Sequence, residues 1–370
     1  IPNEAIENRW VIIFLICIPV VLFNTTTLIA TRYYQFAGKP LYVGIVSAIV
    51  GITAVFLNLY TISYLKLAYL GWYISLFVSS VLAFIFYVYP VYFKYKLSPI
   101  LQFRKIFLKS NLRISLPVIP HSYSSYLLNS SDRLVMDRLN VPLGEIGRYN
   151  LAYQLGSYMD FFGNAIGLAI GPLYTKLLAD KSIDNSSTIK FITHWLQLSF
   201  ISACIIVSLW SKEIFNILIS NSELKEVYPL AIIIIMGYAY RPYYWDSINT
   251  LIYNEQTSQL WKISFFAGIF NVILNIIFIP IYGVFAAAVT TFISLLYVGF
   301  SGYYLSAFKK LQKQKYYPLQ VITIIIISTL SVYFLRDISI IYKALITLAI
   351  MLIYMVYIFK VKSKFSEIHW

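Results

Sequence analysis

Two arginines and three aspartates stand inside stretches that are otherwise apolar enough to cross a bilayer: Asp132, Arg133, Asp160, Arg241 and Asp246. Ionisable groups are costly at that depth, so they mark a pathway, a coupling ion or an internal ion pair. At about 100° per residue, His121, Ser122, Ser125, Asn129, Asp132 and Arg133 fall on one third of a helix circumference. The next stretch gathers Tyr149, Tyr153, Ser157, Asp160 and Asn164 on a face shared with Gly156, Gly163, Gly167 and Gly171. For the glycines, close helix packing of the small-xxx-small kind is the favoured reading, which leaves Asp160 unexplained. Arg241 and Asp246 flank Pro242 in the run GYAYRPYYWDS. Proline removes an N–H and can break a helix near a transported ligand; a helix end in an interfacial aromatic belt explains the same run equally well. A guanidinium grips phosphate oxygens in a fork, which makes Arg241 a candidate anion ligand. Asp132 beside Arg133 is open to a simpler reading, a neutralised pair near a helix end.

The elements that position these groups are helices in lipid. Hydrophobic residues make up 59% of the 370 and charged ones 12%, against about 25% charged in a soluble domain. Eleven stretches reach the roughly 20 residues a span requires, near 10–30, 41–63, 69–93, 114–136, 149–173, 189–210, 227–247, 258–280, 284–306, 317–335 and 338–360. The fold class expected is an all-α polytopic membrane protein, a two-lobed bundle with a central cavity. The apolar runs are continuous, as in Ala231 to Met236, and do not alternate as barrel strands do.

The net charge of +14 follows topology and does not point to nucleic acid. Alternate connections carry Arg32 and Lys39; Lys94, Lys96, Arg104, Lys105, Lys109 and Arg113; Lys176, Lys181 and Lys190; Lys262; and Lys309, Lys310, Lys313 and Lys315, with Lys360, Lys362 and Lys364 in the tail. The positive-inside rule places that side, with the C-terminus, in the cytoplasm. Cys17 and Cys204 lie in apolar stretches and read as free cysteines.

Gly51 to Asn58 (GITAVFLN) and Gly268 to Asn275 (GIFNVILN) agree at five of eight positions, and each is followed by a short turn, a glycine (Gly71, Gly283) and another apolar stretch. Two lobes built from repeats are common in transporters. The organisation expected is a partial N-terminal lobe over 1–93 with three helices, a basic cytoplasmic linker over 94–113, a six-helix lobe over 114–306, and two more helices with a tail over 307–370. The repeat offset implies about three further helices upstream of residue 1, an expectation that an outside N-terminus also suits. In the linker, Ile100, Leu101, Phe103, Phe107 and Leu108 alternate with cations, as in an amphipathic surface helix; an ordinary basic loop is the alternative, and contact with anionic lipid headgroups follows from either.

The chain carries no HExxH, GxGxxG, GxxxxGK, CxxC or DxD motif, and His121, His194 and His369 are scattered. No catalytic residue, metal ligand or cofactor is therefore assigned, and the protein is not read as an enzyme.

SSDRLVMDRLNVPLGEIGRYNLAYQL (Ser130 to Leu155) resembles the start of the second lobe of bacterial polysaccharide flippases of the Wzx (O-antigen) type, and NVILNIIFIPIYGVFAAAVTTFIS (Asn271 to Ser294) resembles their recurring hairpin. These belong to the multidrug, oligosaccharidyl-lipid and polysaccharide exporter superfamily, whose peptidoglycan-precursor flippases and multidrug exporters share the motifs. The resemblance implies a multi-pass protein of the bacterial inner membrane that carries an undecaprenyl-pyrophosphate-linked oligosaccharide between leaflets by alternating access, with membrane lipids and other polysaccharide assembly proteins as partners. Arg241, Arg133, Asp132 and Asp160 best match the arginines and acidic residues that the family places in its cavity; with the polar faces read above, the expected substrate-binding residues are Arg241, Arg133, Asn129, Tyr153 and Tyr244, and the expected ion-coupling or cavity residues Asp132, Asp160, Asp246, Asn164 and Ser125. An ion-coupled exporter of small molecules is the alternative, and a glycan polymerase a more distant one.

Overall fold

The computed structural model describes residues 6–98, 104–180 and 185–366, without the side chains of Pro40, Ser125, Leu127 and 361–366. Among the described residues there is no strand. The chain is a helical multi-pass membrane protein and divides into two compact units, Ile1–Phe103 and Arg104–Trp370.

The first unit holds α1 (Arg9–Phe36), α2 (Leu41–Tyr64) and α3 (Ala68–Lys94). Pro19 is the first residue and Pro90 the second of a wider π-helical stretch, Pro19–Phe23 and Tyr89–Lys94 respectively, which absorbs the ladder bond that proline cannot donate. Its buried core is small: Ala30, Val46, Tyr87 and Val91. Polar contacts supplement it. Thr61 Oγ1 bonds the Leu57 carbonyl (2.7 Å) and the Gly71 carbonyl (3.0 Å) where α2 turns into α3, and Thr26 Oγ1 meets the Tyr92 hydroxyl at 2.7 Å. Apolar side chains such as Trp10, Val21 and Phe56 point outward, the arrangement lipid favours.

The second unit runs α4 (Lys105–Ser115), α5 (Val118–Arg138), α6 (Leu143–Ala179), α7 (Ser186–Leu209), α8 (Ser211–Leu218), α9 (Tyr228–Gly237), α10 (Arg241–Tyr253), α11 (Leu260–Ser301), α12 (Ser306–Leu311), α13 (Pro318–Leu335) and α14 (Ile340–Ser366). The apolar run in α9 is buried from Leu230 to Met236, so it is the central post on which α6, α7, α11 and α13 pack. That explains a helix hydrophobic all round. α11 is two helices joined at Gly283, whose φ of 59° and ψ of −146° only glycine adopts readily.

A helix covers each of the eleven expected stretches, with altered limits. Among the described residues, seven segments are long and apolar enough to span a membrane: α1, α2, α3, α7, Thr257–Tyr304, α13 and Ile340–Lys360. Thr257–Tyr304 contains two of the expected spans, on either side of Gly283. The remaining three, α5, α6 and α9 with α10, carry the polar stripes that lower their hydropathy. The fifth is also longer than read from sequence, beginning at Leu143 and ending at Ala179. Of the basic linker, Lys105–Ser115 is helical, with Ile106, Phe107, Leu108 and Leu112 exposed; Ile100, Leu101 and Phe103 lie outside the described residues.

At the end of the second unit away from its lysine-rich connections, α8 is tied to the α13–α14 turn. Lys212 reaches Asp337 at 2.6 Å, the Tyr228 hydroxyl donates to the same oxygen at 2.7 Å, and the buried Lys343 ammonium contacts both Glu213 oxygens at 2.8 and 2.9 Å.

Candidate functional site

The polar faces of α5 and α6 meet α9, α10 and α11 in a run of connected side chains. At one end lies Asp132, fully buried. Its Oδ2 accepts from the Tyr149 hydroxyl (2.5 Å) and the Thr291 hydroxyl (2.8 Å), and its Oδ1 from Asn275 Nδ2 (2.7 Å). Asn275 is held in turn by Thr290, while Asn271 Oδ1 accepts from Ser131 Oγ (2.7 Å) and from Asn275 Nδ2 (3.0 Å). Asn271 Nδ2 is buried with no hydrogen-bond partner among the described residues. Asn271 and Asn275 are four apart on the first half of α11 and so share a face. Thr290 and Thr291 follow the Gly283 kink, which folds the second half of α11 back against them. Three donors thus satisfy a carboxylate that has no cation among the described ion pairs.

Arg133 does not neutralise Asp132. Its Nε donates to Asn150 Oδ1 (3.0 Å) and its Nη1 to the Asn129 carbonyl (2.8 Å), four residues back on α5. The guanidinium lies 4.2 Å from the centre of the Tyr153 ring and 5.8 Å from that of Tyr149, a stacking arginine favours. Tyr153 donates to Asn129 Oδ1 at 3.2 Å. The neutralised-pair reading is therefore replaced by two separate environments on adjacent residues. The helix turns about 100° between them, which sends Asp132 into the bundle and Arg133 along its open side.

Tyr238 joins this group to the next, its hydroxyl 3.4 Å from that of Tyr153 and its ring 5.9 Å from the Arg241 guanidinium. Arg241 forms an ion pair with Asp160 and donates from Nη1 to Asn164 Oδ1 (3.1 Å), while Asn164 Nδ2 donates to Asp160 (3.1 Å). Asp160 and Asn164 are one helical turn apart on α6, so the two can share one guanidinium. The side chains of Arg241 and Asp160 are 11% and 23% exposed, and Arg241 Nε is buried without a partner among the described residues.

The backbone explains how Arg241 arrives there. Between α9 and α10 the chain tightens into a 3-10 turn, Tyr238–Tyr240, and Pro242 lies in the first turn of the next helix. Gln197 of α7 donates to the Ala239 carbonyl in that turn (2.7 Å), stabilising the interruption. The glycines of α6 set the approach distance. A Cβ at Gly163 would lie 3.3 Å from Arg241 Cγ, one at Gly167 would lie 2.8 Å from Trp245 Nε1, and one at Gly156 would lie 2.5 Å from Ile234 Cγ2. The packing reading holds for these three glycines, and it is also what brings Arg241 to Asp160.

Of the expected substrate residues, Arg133, Asn129 and Tyr153 form one cluster, and Arg241 connects to it through Tyr238. Tyr244 is placed differently: its hydroxyl meets His121 Nε2 at 3.2 Å, and its ring packs edge-on to Tyr240 at 5.7 Å. Of the expected coupling residues, Asp160 and Asn164 pair with Arg241, and Asp132 has its own cage. Asp246 belongs to neither. It is buried and accepts from the Tyr303 hydroxyl at 2.6 Å, among aromatic rings beside the lysine-rich connection. The side chain of Ser125 lies outside the described residues. Sequence reading passes over Ser131, Asn271, Asn275, Thr290 and Thr291; the four-residue spacing of two asparagines in an apolar stretch is the available signal. Among the described residues no group of three His, Cys, Asp or Glu side chains could hold a metal ion.

No family model matches the chain, and no curated protein matches it. Two solved structures share its fold. A point mutant of the MATE transporter VcmN of Vibrio cholerae superposes with a TM-score of 0.63 at 12% identity, covering 78% of this chain and 67% of its own. The lipid II flippase MurJ, in an inward closed conformation, gives a TM-score of 0.52 at 16% identity, covering 88% of this chain and 72% of its own. At such identities the likeness establishes an architecture common to a MATE transporter and a lipid II flippase.

Proposed function

We propose that the protein moves an anionic, lipid-linked oligosaccharide from one leaflet to the other by alternating access, with the Arg133–Tyr153–Tyr238–Arg241 stripe contacting the headgroup. The observation that carries this reading is Arg133: a cation inside a membrane bundle, with no carboxylate partner among the described residues, stacked on Tyr153 and half-exposed. A charged side chain at that depth that makes no ion pair marks a candidate functional site. A pyrophosphate would give Arg133 a direct anionic partner, and exposed Asn129, Asn150 and Asn164 offer amides to sugar hydroxyls. The headgroup cannot cross about 30 Å of hydrocarbon unaided, whereas a polar face can replace its hydration. The resemblance of Ser130–Leu155 to polysaccharide flippases and the shared fold with a lipid II flippase support the same reading. Asp132, which has no cation partner among the described residues, is proposed as the group that binds the driving proton or sodium ion, and the lysine-rich connections with the C-terminus as the cytoplasmic side of a bacterial inner membrane.

The shared fold with a MATE transporter and the caged Asp132 favour a second reading, an ion-coupled exporter of small molecules. The two separate in proteoliposomes. A flippase exposes a fluorescent polyprenyl-pyrophosphate glycan to an external glycosidase, and Arg133→Ala lowers this by an order of magnitude or more. Transport of a lipophilic cation that survives Arg133→Ala, with no glycan exposed by the unaltered protein, would establish the exporter instead.

A further inference from the structure

At the lysine-rich end of the second unit, between the two halves of α11 and the start of α13, lies an apolar trough of about 520 Å³ walled by Phe266, Leu296, Phe300 and Ile322. A second hollow of about 500 Å³ opens beside it, lined by Lys309, Lys315, Tyr317 and Gln320. The two share Tyr304 and Leu319, so apolar and basic surfaces are continuous. Lys262 borders the trough, and no carboxylate among the described residues lines either hollow. The Lys309 ammonium lies 5.7 Å from the centre of the Tyr304 ring, at the junction. Lys262, Lys309 and Lys315 form no ion pair among the described residues, and none of the residues of the Asp132, Arg133 or Arg241 groups takes part.

We infer that this paired hollow binds an anionic phospholipid of the surrounding bilayer, with an acyl chain in the trough and the phosphate on Lys309 and Lys315. The complementarity is twofold. Only a molecule with an apolar chain and an adjoining negative charge satisfies both halves, and basic pockets between membrane helices are suited to anionic headgroups. The volumes are those of ordinary ligand sites. The tyrosine hydroxyls and glutamine amides at the rim suit a glycerol headgroup, and the Tyr304 ring covers the boundary between hydrocarbon and charge as interfacial aromatics do. Bound there, the lipid bridges α11 and the start of α13 and therefore stabilises the attachment of the C-terminal helices.

The test uses the full chain in a neutral detergent, titrated with phosphatidylglycerol or with phosphatidylcholine of the same acyl chains, and read by native mass spectrometry and by melting temperature. Phosphatidylglycerol should bind and raise the melting temperature, with phosphatidylcholine weaker by about tenfold or more; each lysine near a membrane surface accounts for roughly fivefold. The exposed pair Lys309→Gln/Lys315→Gln should remove the preference without lowering the melting temperature of the lipid-free protein. Equal binding of the two lipids overturns the inference, as does a preference that survives the double substitution. Two competitors need no variant. Glycerol phosphate that displaces the lipid at equal concentration would assign the hollow to a free phosphate compound, and undecaprenyl phosphate that displaces it more strongly would assign it to the transported lipid. Either result overturns the inference, and neither bears on glycan transport itself.

Discussion

The Tyr149 hydroxyl donates to Asp132 Oδ2 across 2.5 Å, joining α5 to α6 at a point where neither residue is exposed. Thr291 and Asn275 bring both halves of α11 to the same carboxylate. Asp132→Ala removes the acceptor that three buried donors share, and each group left orphaned costs about 1–3 kcal/mol. Asp132→Asn keeps the shape and one acceptor oxygen. The alanine variant should therefore melt well below the asparagine variant in detergent, while both lose ion-driven transport. Wild-type transport by Asp132→Asn at every ion gradient would remove Asp132 from the coupling step.

The Arg241–Asp160 pair gives a double-substitution cycle. Either single change, Arg241→Ala or Asp160→Asn, strands part of the triad with Asn164, and at this degree of burial the cost is roughly 2 kcal/mol. The double variant should recover part of that stability, because no unpaired charge remains. It should not recover glycan transport if Arg241 contacts the headgroup. Restored transport in the double variant would make the pair purely structural.

Arg133 should behave in the opposite way. Its side chain is half-exposed and bonds an amide and a carbonyl, so Arg133→Ala should change the melting temperature little. Transport should fall by an order of magnitude or more, with Arg133→Lys intermediate, since an ammonium keeps the charge but loses the fork and the stacked plane. A large stability loss without selective transport loss would contradict this placement.

The helices and the polar faces were legible because lipid imposes a simple rule: apolar runs span, and costly exceptions stand out. Asp160 and Arg241 can each be singled out in this way. Their partnership cannot, because it depends on how closely Gly163 lets α6 approach α10. In the sequence Asp132 is open to being read as half of a pair with Arg133 because adjacency is visible and burial is not. Its real partners, Asn275 and Thr291, lie 143 and 159 residues away, and both stand in stretches that hydropathy reads as plain spans. Gly283 reads as a turn glycine, and the structure adds that its backbone folds α11 so that Asn275 and Thr290 meet.

Gly163 makes the packing argument testable. A Cβ there would come within 3.1 Å of Phe200 and 3.3 Å of the Arg241 stem. Gly163→Leu should force α6 from α10 and separate Arg241 from Asp160, at about 1–3 kcal/mol for overpacking. Cysteine crosslinking between positions 160 and 241 should be efficient in the glycine protein and poor in the leucine variant. Unchanged crosslinking would show that α6 yields without moving the pair.

The tie between α8 and the α13–α14 turn lies outside the spans and has a defined pH dependence. The hydrogen bond from Lys212 holds the Asp337 carboxyl below its ordinary value, and the same bond raises the Lys212 ammonium above its own. A depressed carboxyl contributes stability above its unfolded value of about 3.9 and loses it as pH falls through the lower folded value; a raised ammonium contributes below about 10.4 and loses it as pH rises through the higher folded value. Both contributions are therefore constant across neutral pH, and because the pair is well exposed they total about 1 kcal/mol or less. The melting-temperature difference between the unaltered protein and Asp337→Asn should be flat from about pH 5 to 9 and shrink below about pH 4. A difference that instead widens in acid would mean that Asp337 is held by something other than Lys212.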